Sequence, residues 1–241
     1  RDLILCAVEY TKGRKEYSGI RIANSDALAE KIRTGLKHRA WKLHITFRCH
    51  TKDDQDIKRI MDDLLEQALQ ESEDPAGGDY IRCQLGGYRM HYDIKKVFLG
   101  YQCHMELMPA YYSTRDEEEY VDAEVGRILT QLAQDAGRQQ RQGSGSYDEN
   151  SGDEADALKA LTDEQKIRLV HDYVTDLLSY DSVHKDNANS HAKVTAYAAL
   201  RYHQVVCQGY AVLTYRLLKE MGVPCRIETG DAVIDGVKEI S

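Results

Sequence analysis

The sequence lacks any long apolar run and any excess of positive charge. Without about 20 consecutive apolar residues, no segment is a candidate transmembrane helix. The net charge is -8, from 40 acidic against 32 basic residues, which argues against a general surface for nucleic acid or anionic membranes. We therefore expect neither a membrane span nor a nucleic-acid partner.

Cysteine is sparse as well, with six residues in 241 and no CxxC pair. This excludes zinc-ribbon and thioredoxin-like sites, and it is too little for a disulfide scaffold. Cys49-His50 and Cys103-His104 lie on predicted strands, where neighbouring side chains point to opposite faces, so neither pair is expected to share a metal ion. We expect Cys49 and Cys103 to be buried, and we expect no metal and no cofactor.

Residues 1–136 carry the patterns of a small N-terminal α+β domain. The predicted elements are a helix around 25–38, a strand at 41–49 with Trp41 on its apolar face, a helix at 57–69, two strands at 88–94 and 99–107, and a helix after a capping box at Thr114 and Glu117. This order is typical of helices packed on one face of an antiparallel sheet.

A change of composition separates this domain from the rest of the chain. Residues 137–157 hold Gly, Ser and Gln and almost nothing apolar, and five acids without a base follow Tyr147. Such a segment is typical of a flexible acidic linker.

Residues 158–241 open with a second capping box, at Thr162 and Gln165. The predicted elements are a helix that follows this box to Leu178, a polar loop, a short helix at 193–203, a helix from Cys207 to Met221, and a strand at 224–230. The stop signals of the last helix are Gly222 and Pro224.

Cys207 falls in the first turn of a predicted helix, on what the spacing predicts to be its inward stripe. One interpretation is a buried core cysteine. The other is a nucleophile, because the N–H groups and partial positive charge of a helix N-terminus favour a thiolate and stabilise an oxyanion during acyl transfer. Gly209 is a poor helix former that permits close backbone approach, which favours the second interpretation.

The segment "AYAALRYHQVVCQGYAVLTYRLLKEMGVPCRIETGDA", with "EQKIRLVHDYVTDLLSYD" upstream, resembles the core of the transglutaminase-like superfamily, especially its bacterial secreted branch. The stretches "WKLHITFRC" and "YYSTRDEEEYVDAEVGRIL" resemble the domain that often precedes this core in wall-associated proteins of Gram-positive bacteria.

The resemblance implies a papain-like α+β core in residues 158–241, of which this chain holds the N-terminal part. It implies that Cys207 is the nucleophile of a Cys-His-Asp triad, attacking a protein or peptide amide and forming a thioester. It further implies an extracellular or cell-wall location, with a cytoplasmic one as the alternative.

The sequence departs from the family pattern after the cysteine helix. The family's catalytic histidine stands in a His-Ala-Trp motif that is absent here, and the single tryptophan is Trp41. The pattern assigns the role of base to none of the histidines near the cysteine, which are His171, His184, His191 and His203. We therefore expect that Cys207 reacts with thiol reagents but that turnover by this chain is absent or very low.

Three functional interpretations stay open at this point. The chain is part of a cysteine acyltransferase or protease, or it is a non-catalytic cell-surface binding module with a degenerate papain-like fold. The third is an assembly protein in which a partner chain supplies the missing strands.

Overall fold

The computed structural model describes residues 2–3, 24–144, 154–182, 193–229, 231–234 and 237–240. The chain divides into two compact units. We call Arg1–Ser72, Ala76–Tyr112 and Glu228–Ser241 the sheet unit, and Glu73–Pro75 with Ser113–Ile227 the helical unit.

The described elements are a mixture of helices and strands. In chain order they are β1 (Asp2–Leu3), α1 (Ser25–Lys37), β2 (Leu43–Cys49), α2 (Asp54–Ala68), α3 (Gly78–Gln84), β3 (Leu85–Val97), β4 (Gly100–Tyr111), α4 (Arg115–Ser144), α5 (Glu154–Lys159), α6 (Asp163–Leu177), β5 (Ser179–Tyr180), α7 (Ala196–Tyr202), β6 (Gln204–Val205), α8 (Cys207–Glu220), β7 (Asp231–Ile234) and β8 (Val237–Ile240).

The sheet unit contains an antiparallel sheet in the order β1-β3-β4-β2. Side chains alternate along β2, with Leu43, Ile45, Phe47 and Cys49 buried and the residues between them exposed. The buried face packs with the apolar faces of α1 and α2 in one core, as the periodicity predicted. Each fully buried aliphatic side chain contributes roughly 1.5–3 kcal/mol to this core. The prediction of a mixed α and antiparallel β architecture is therefore confirmed.

Three details of the sequence prediction are wrong. Trp41 is 76% exposed, because β2 begins only at Leu43, and its ring lies 5.2 Å from the Lys42 ammonium. The short helix α3 was not predicted, since its Gly-rich start signals a turn. Residues 223–229 are not a strand, and none of the described sheets includes them.

Helix α4 belongs by its contacts to the helical unit, although the sequence placed it in the first domain. Its capping box is confirmed, with Thr114 N–H donating to Glu117 Oε2 at 2.7 Å. It also continues to Ser144, into the predicted linker, because Gln and Arg are good helix formers. Residues 145–153 of that linker lie outside the described residues, and α5 begins at Glu154. The domain boundaries drawn from the sequence stay predictions.

Side-chain contacts attach α4 to the two helices nearest the cysteine. The Tyr120 ring of α4 meets the Tyr197 ring of α7 edge to face, with centroids 5.4 Å apart. Arg216 of α8, which is buried, donates to Asp122 Oδ1 of α4 at 2.7 Å. These contacts pack α4 against α7 and against α8, the helix that begins at Cys207.

The capping box of α6 provides a test of this local structure. Thr162 Oγ1 accepts from Gln165 N–H at 3.3 Å, and Gln165 Oε1 accepts from Thr162 N–H at 2.9 Å. We expect Thr162→Ala to lower the free energy of unfolding of the helical unit by about 1 kcal/mol, because it leaves an end N–H unpaired. Urea unfolding followed by circular dichroism measures the change.

Thr175 is the matched control on the same helix. Its exposed hydroxyl donates only to carbonyls of its own helix, those of His171 and Asp172. Thr175→Ala should leave stability unchanged or slightly raise it, since Ala is the better helix former. Equal losses for the two variants would show that the capping box does not stabilise α6.

Candidate active site around Cys207

Two short parallel strands bring the end of α6 next to the start of α8. Strand β5 pairs with β6, so that Tyr180 is the partner of Val205. Ser179 N–H donates to His203 O at 2.8 Å, and Asp181 N–H donates to Val205 O at 3.0 Å. Because β6 ends two residues before Cys207, these bonds fix the approach of the chain to the cysteine.

Cys207 is exposed and is the first residue of α8. The preceding Val206 is extended and offers no side-chain cap to the helix. Several N–H groups at this end are already engaged: Val206 N–H donates to Lys193 O at 3.3 Å, and Gly209 N–H donates to Val206 O at 2.9 Å. What the helix start places next to Cys207 is the partial positive charge of its N-terminus. The arrangement is suited to holding an anion close to the thiol.

The prediction that Cys207 lies on the inward stripe of α8 is wrong. The buried face of the helix is built from Gly209, Val212, Leu213, Tyr215, Arg216, Leu217 and Leu218. This face is rotated from the predicted stripe, because close packing at Gly209 determines which side of the helix points inward. The interpretation of Cys207 as a buried core cysteine is therefore excluded.

Gly209 lies where the first turn of α8 packs against preceding residues of the chain, with no room for a side chain. A Cβ at Gly209 would lie 2.6 Å from Val205 Cβ and 2.9 Å from Lys193 O. Lys193 O also accepts the Val206 N–H at 3.3 Å. The close approach expected from the sequence is thus present, and what approaches is the backbone carbonyl of Lys193 together with the Val205 side chain of β6.

A buried ion pair lies on the same side of the helix start. The Asp181 carboxylate is fully buried and pairs with the Lys193 ammonium. An unpaired buried carboxylate would be costly, so this pair determines where the Lys193 backbone lies against Val206 and Gly209. Sequence reasoning missed Lys193, because nothing in the pattern links it to Asp181. Asp181 itself appeared only as the last residue of a stretch that resembles the family.

Two tyrosines lie near the start of α8. Tyr210 lies three residues after Cys207, on the same side of α8. Its ring is 6.4 Å from the ring of Tyr180, which is 50% exposed. The exposed thiol therefore has an aromatic pair beside it, able to contact an apolar part of a substrate.

The described histidines do not reach the cysteine. His203 caps α7 in the left-handed conformation, with Nε2 3.1 Å from Leu200 O. His171 is exposed, with Nδ1 3.0 Å from Asp172 Oδ1. No hydrogen bond joins an imidazole to Cys207 Sγ among the residues that the structure describes. His184 and His191 lie outside them.

Comparison with known families agrees with this geometry. Residues 153–237 match the family model of the transglutaminase-like superfamily. This part of the chain, about a third of its length, is similar to the transglutaminase-like superfamily, and we call it the transglutaminase-like domain. The resemblance that the sequence around Cys207 shows to this superfamily is thereby confirmed, and the matched residues contain Cys207 and all of α8. No curated protein matches the chain.

The described residues contain no group of three or more His, Cys, Asp or Glu side chains placed to hold a metal ion. Within the same ranges, no helix is both long and apolar enough to cross a bilayer.

The packing at Gly209 predicts a large effect of a small substitution. We expect Gly209→Ala to lower the free energy of unfolding of the helical unit by about 1–3 kcal/mol, because the new methyl group overlaps Val205 and Lys193 O. Urea titration monitored by circular dichroism measures it.

Gly126→Ala is the control for Gly209→Ala. Gly126 lies in α4, and a Cβ there meets nothing within 4 Å. This variant should gain up to about 1 kcal/mol from helix propensity alone. A neutral Gly209→Ala would contradict the close approach.

The cysteines should differ sharply in alkylation. Burial raises the pKa of Cys83 to about 12 and that of Cys103 to about 12. Because the thiolate is the reacting species, both should resist iodoacetamide near pH ~8 and react only as the pH approaches their pKa values. Exposed Cys207 should be labelled at least roughly tenfold faster than either. Peptide mass spectrometry over time gives each rate, and equal rates at the three cysteines would contradict the structure.

Proposed function

We propose that the transglutaminase-like domain is the nucleophile-bearing part of a cysteine acyltransferase or hydrolase that acts on protein or peptide amides. The observation that carries this proposal is the placement of Cys207, exposed at the N-terminus of α8 inside the matched domain. The papain-like arrangement, with a cysteine helix against an antiparallel sheet, is part of the same proposal.

The proposed reaction has two steps. Cys207 Sγ attacks the carbonyl carbon of a carboxamide, a C–S bond forms, and the N–H groups at the start of α8 stabilise the oxyanion. The C–N bond then breaks, and the nitrogen leaves as ammonia or an amine after taking a proton, giving a thioester. Water or a second amine attacks the thioester, the C–S bond breaks, and the thiol is regenerated.

Proton transfer is the step for which the described residues provide no group. An imidazole must take the thiol proton and give it to the leaving nitrogen. Neither His203 nor His171 contacts Cys207. In this proposal the described residues therefore supply the nucleophile and the oxyanion donors, while the base comes from elsewhere. The proposal of an extracellular or cell-wall location rests on the sequence resemblance of the first half.

An activated ester separates the nucleophile from the missing base. The leaving group of p-nitrophenyl acetate departs as an anion and needs no proton, so Cys207 should be acetylated without an imidazole. We expect a burst of p-nitrophenolate with acetylation of Cys207, then slow deacylation that added imidazole accelerates. Absorbance gives the burst, and peptide mass spectrometry locates the acetyl group.

The controls decide between catalysis and binding. Cys207→Ser should lose the burst, while Cys225→Ser, at a half-buried cysteine of the same unit, should keep it. On a glutamine peptide we expect turnover by this chain no greater than that of Cys207→Ala. Acetylation of Cys207 no faster than that of Cys225 would overturn the nucleophile role and favour a non-catalytic binding module.

A further inference from the structure

The hairpin formed by β3 and β4 ends in the most exposed large apolar side chains of the described residues. Val97 pairs with Gly100 and closes a two-residue loop of Phe98 and Leu99. Phe98 is 87% exposed and Leu99 is 80% exposed. Neither side chain therefore contributes to the core of the sheet unit. We call residues 95–100 the hairpin tip.

The backbone of the hairpin tip is unfavourable for its residues. Leu99 has φ 61°, in the left-handed region. Loops of this length favour Asn, Asp or Gly, because a Cβ is strained in that conformation. The chain thus places one large apolar residue, Leu99, where it strains the turn, and neither Leu99 nor Phe98 is buried in the fold, which points to a binding role.

Three exposed lysines lie around the hairpin tip, and the nearest carboxylate along β3 is the exposed Asp93, two residues further from the loop than Lys95. Lys95 and Lys96 are exposed and project to opposite faces of the hairpin, because neighbouring side chains of a strand alternate. A Cβ at Gly100 would lie 2.7 Å from Cys49 O, so the end of β2 lies against the tip, and the exposed Lys52 follows three residues later.

The nearest carboxylates of α2 are engaged within the fold. Asp53 accepts the backbone N–H groups of Gln55 and Asp56, and Asp54 accepts the Tyr92 hydroxyl at 2.6 Å. These bonds hold the two carboxylates in place at the start of α2, whereas Lys95 and Lys96 stand on the strand that leads into the tip.

We infer that the hairpin tip is a peripheral contact for an anionic lipid bilayer, with Phe98 and Leu99 inserted at the interface and the lysines at lipid phosphates. A convex tip of two apolar side chains offers far less than the roughly 800 Å² per partner of a standard protein interface. Shallow insertion into lipid needs no matching surface, and its strength grows with the apolar area buried and the basic charge near the headgroups.

The overall charge of -8 does not oppose a local contact of this kind. Part of the acidic surplus lies in residues 148–156, which hold five acids and no base. Screening confines electrostatic effects to about 8–10 Å at physiological salt, so the charges next to the tip dominate.

Because the chain has one tryptophan, moving it to the hairpin tip makes indole fluorescence report on the tip alone. In a Trp41→Phe, Phe98→Trp variant, indole fluorescence should shift to the blue with vesicles of phosphatidylcholine plus phosphatidylglycerol. It should not shift with phosphatidylcholine alone, and added salt should weaken the effect. The parent chain is the matched control. Its Trp41 is also exposed and lies beside a lysine. However, Trp41 precedes the end of β2 that is opposite the tip, and β2 is about 23 Å long at 3.3 Å per residue. The fluorescence of Trp41 should therefore not shift.

A second variant separates binding from folding. Phe98→Asn with Leu99→Gly supplies the residues that this turn favours, so its melting temperature should equal or exceed that of the parent. In vesicle co-sedimentation its partition coefficient should fall roughly tenfold or more for each apolar side chain removed. Lys95→Gln with Lys96→Gln should cost roughly fivefold per charge, on anionic vesicles only.

The inference fails if the reporter does not shift with anionic vesicles, or if neutral vesicles give the same shift. It also fails if sedimentation velocity without lipid shows a self-associating parent that becomes monomeric in the Phe98→Asn, Leu99→Gly variant, because the tip would then bind a second copy. Cys207→Ser should partition like the parent, so this test is independent of the proposed chemistry.

Discussion

The candidate site depends on one close packing contact, that of Gly209 with Val205 and the Lys193 carbonyl. With no side chain at Gly209, the first turn of α8 lies directly on β6. Because β6 pairs with β5, the end of α6 comes to the same place. The contact also determines which side of α8 is buried, and it leaves Cys207 on the exposed side. A larger residue at this position would displace the helix start that the proposed chemistry requires.

Buried charges hold this arrangement from two directions. Asp181 and Lys193 form an ion pair under the start of α8. Arg216, further along α8, donates to Asp122 of α4 at 2.7 Å and lies 3.1 Å from Glu220. Removing Lys193 would leave the buried Asp181 carboxylate uncompensated, whereas removing Asp122 would leave Arg216 paired with Glu220. The Arg216–Asp122 contact joins α4 to the cysteine helix.

Each of the two units contains its own candidate site. In the helical unit, an exposed thiol, helix N–H groups and an aromatic pair of Tyr180 and Tyr210 are brought together without a described imidazole. In the sheet unit, a covered core supports a hairpin whose tip is apolar and basic. The proposed acyl-transfer chemistry and the proposed lipid contact therefore belong to different units, and each proposal can be tested without the other.

Periodicity along the chain was enough to predict α1, α2, the β3–β4 hairpin, and α6 with its capping box. The resemblance to a family identified Cys207. The folded chain was needed to show that Cys207 is exposed, that Trp41 lies outside the core, and that Lys193 neutralises Asp181. Periodicity reports which residues share a face of one element. Which face is buried depends on contacts between distant segments, and a local pattern does not contain them.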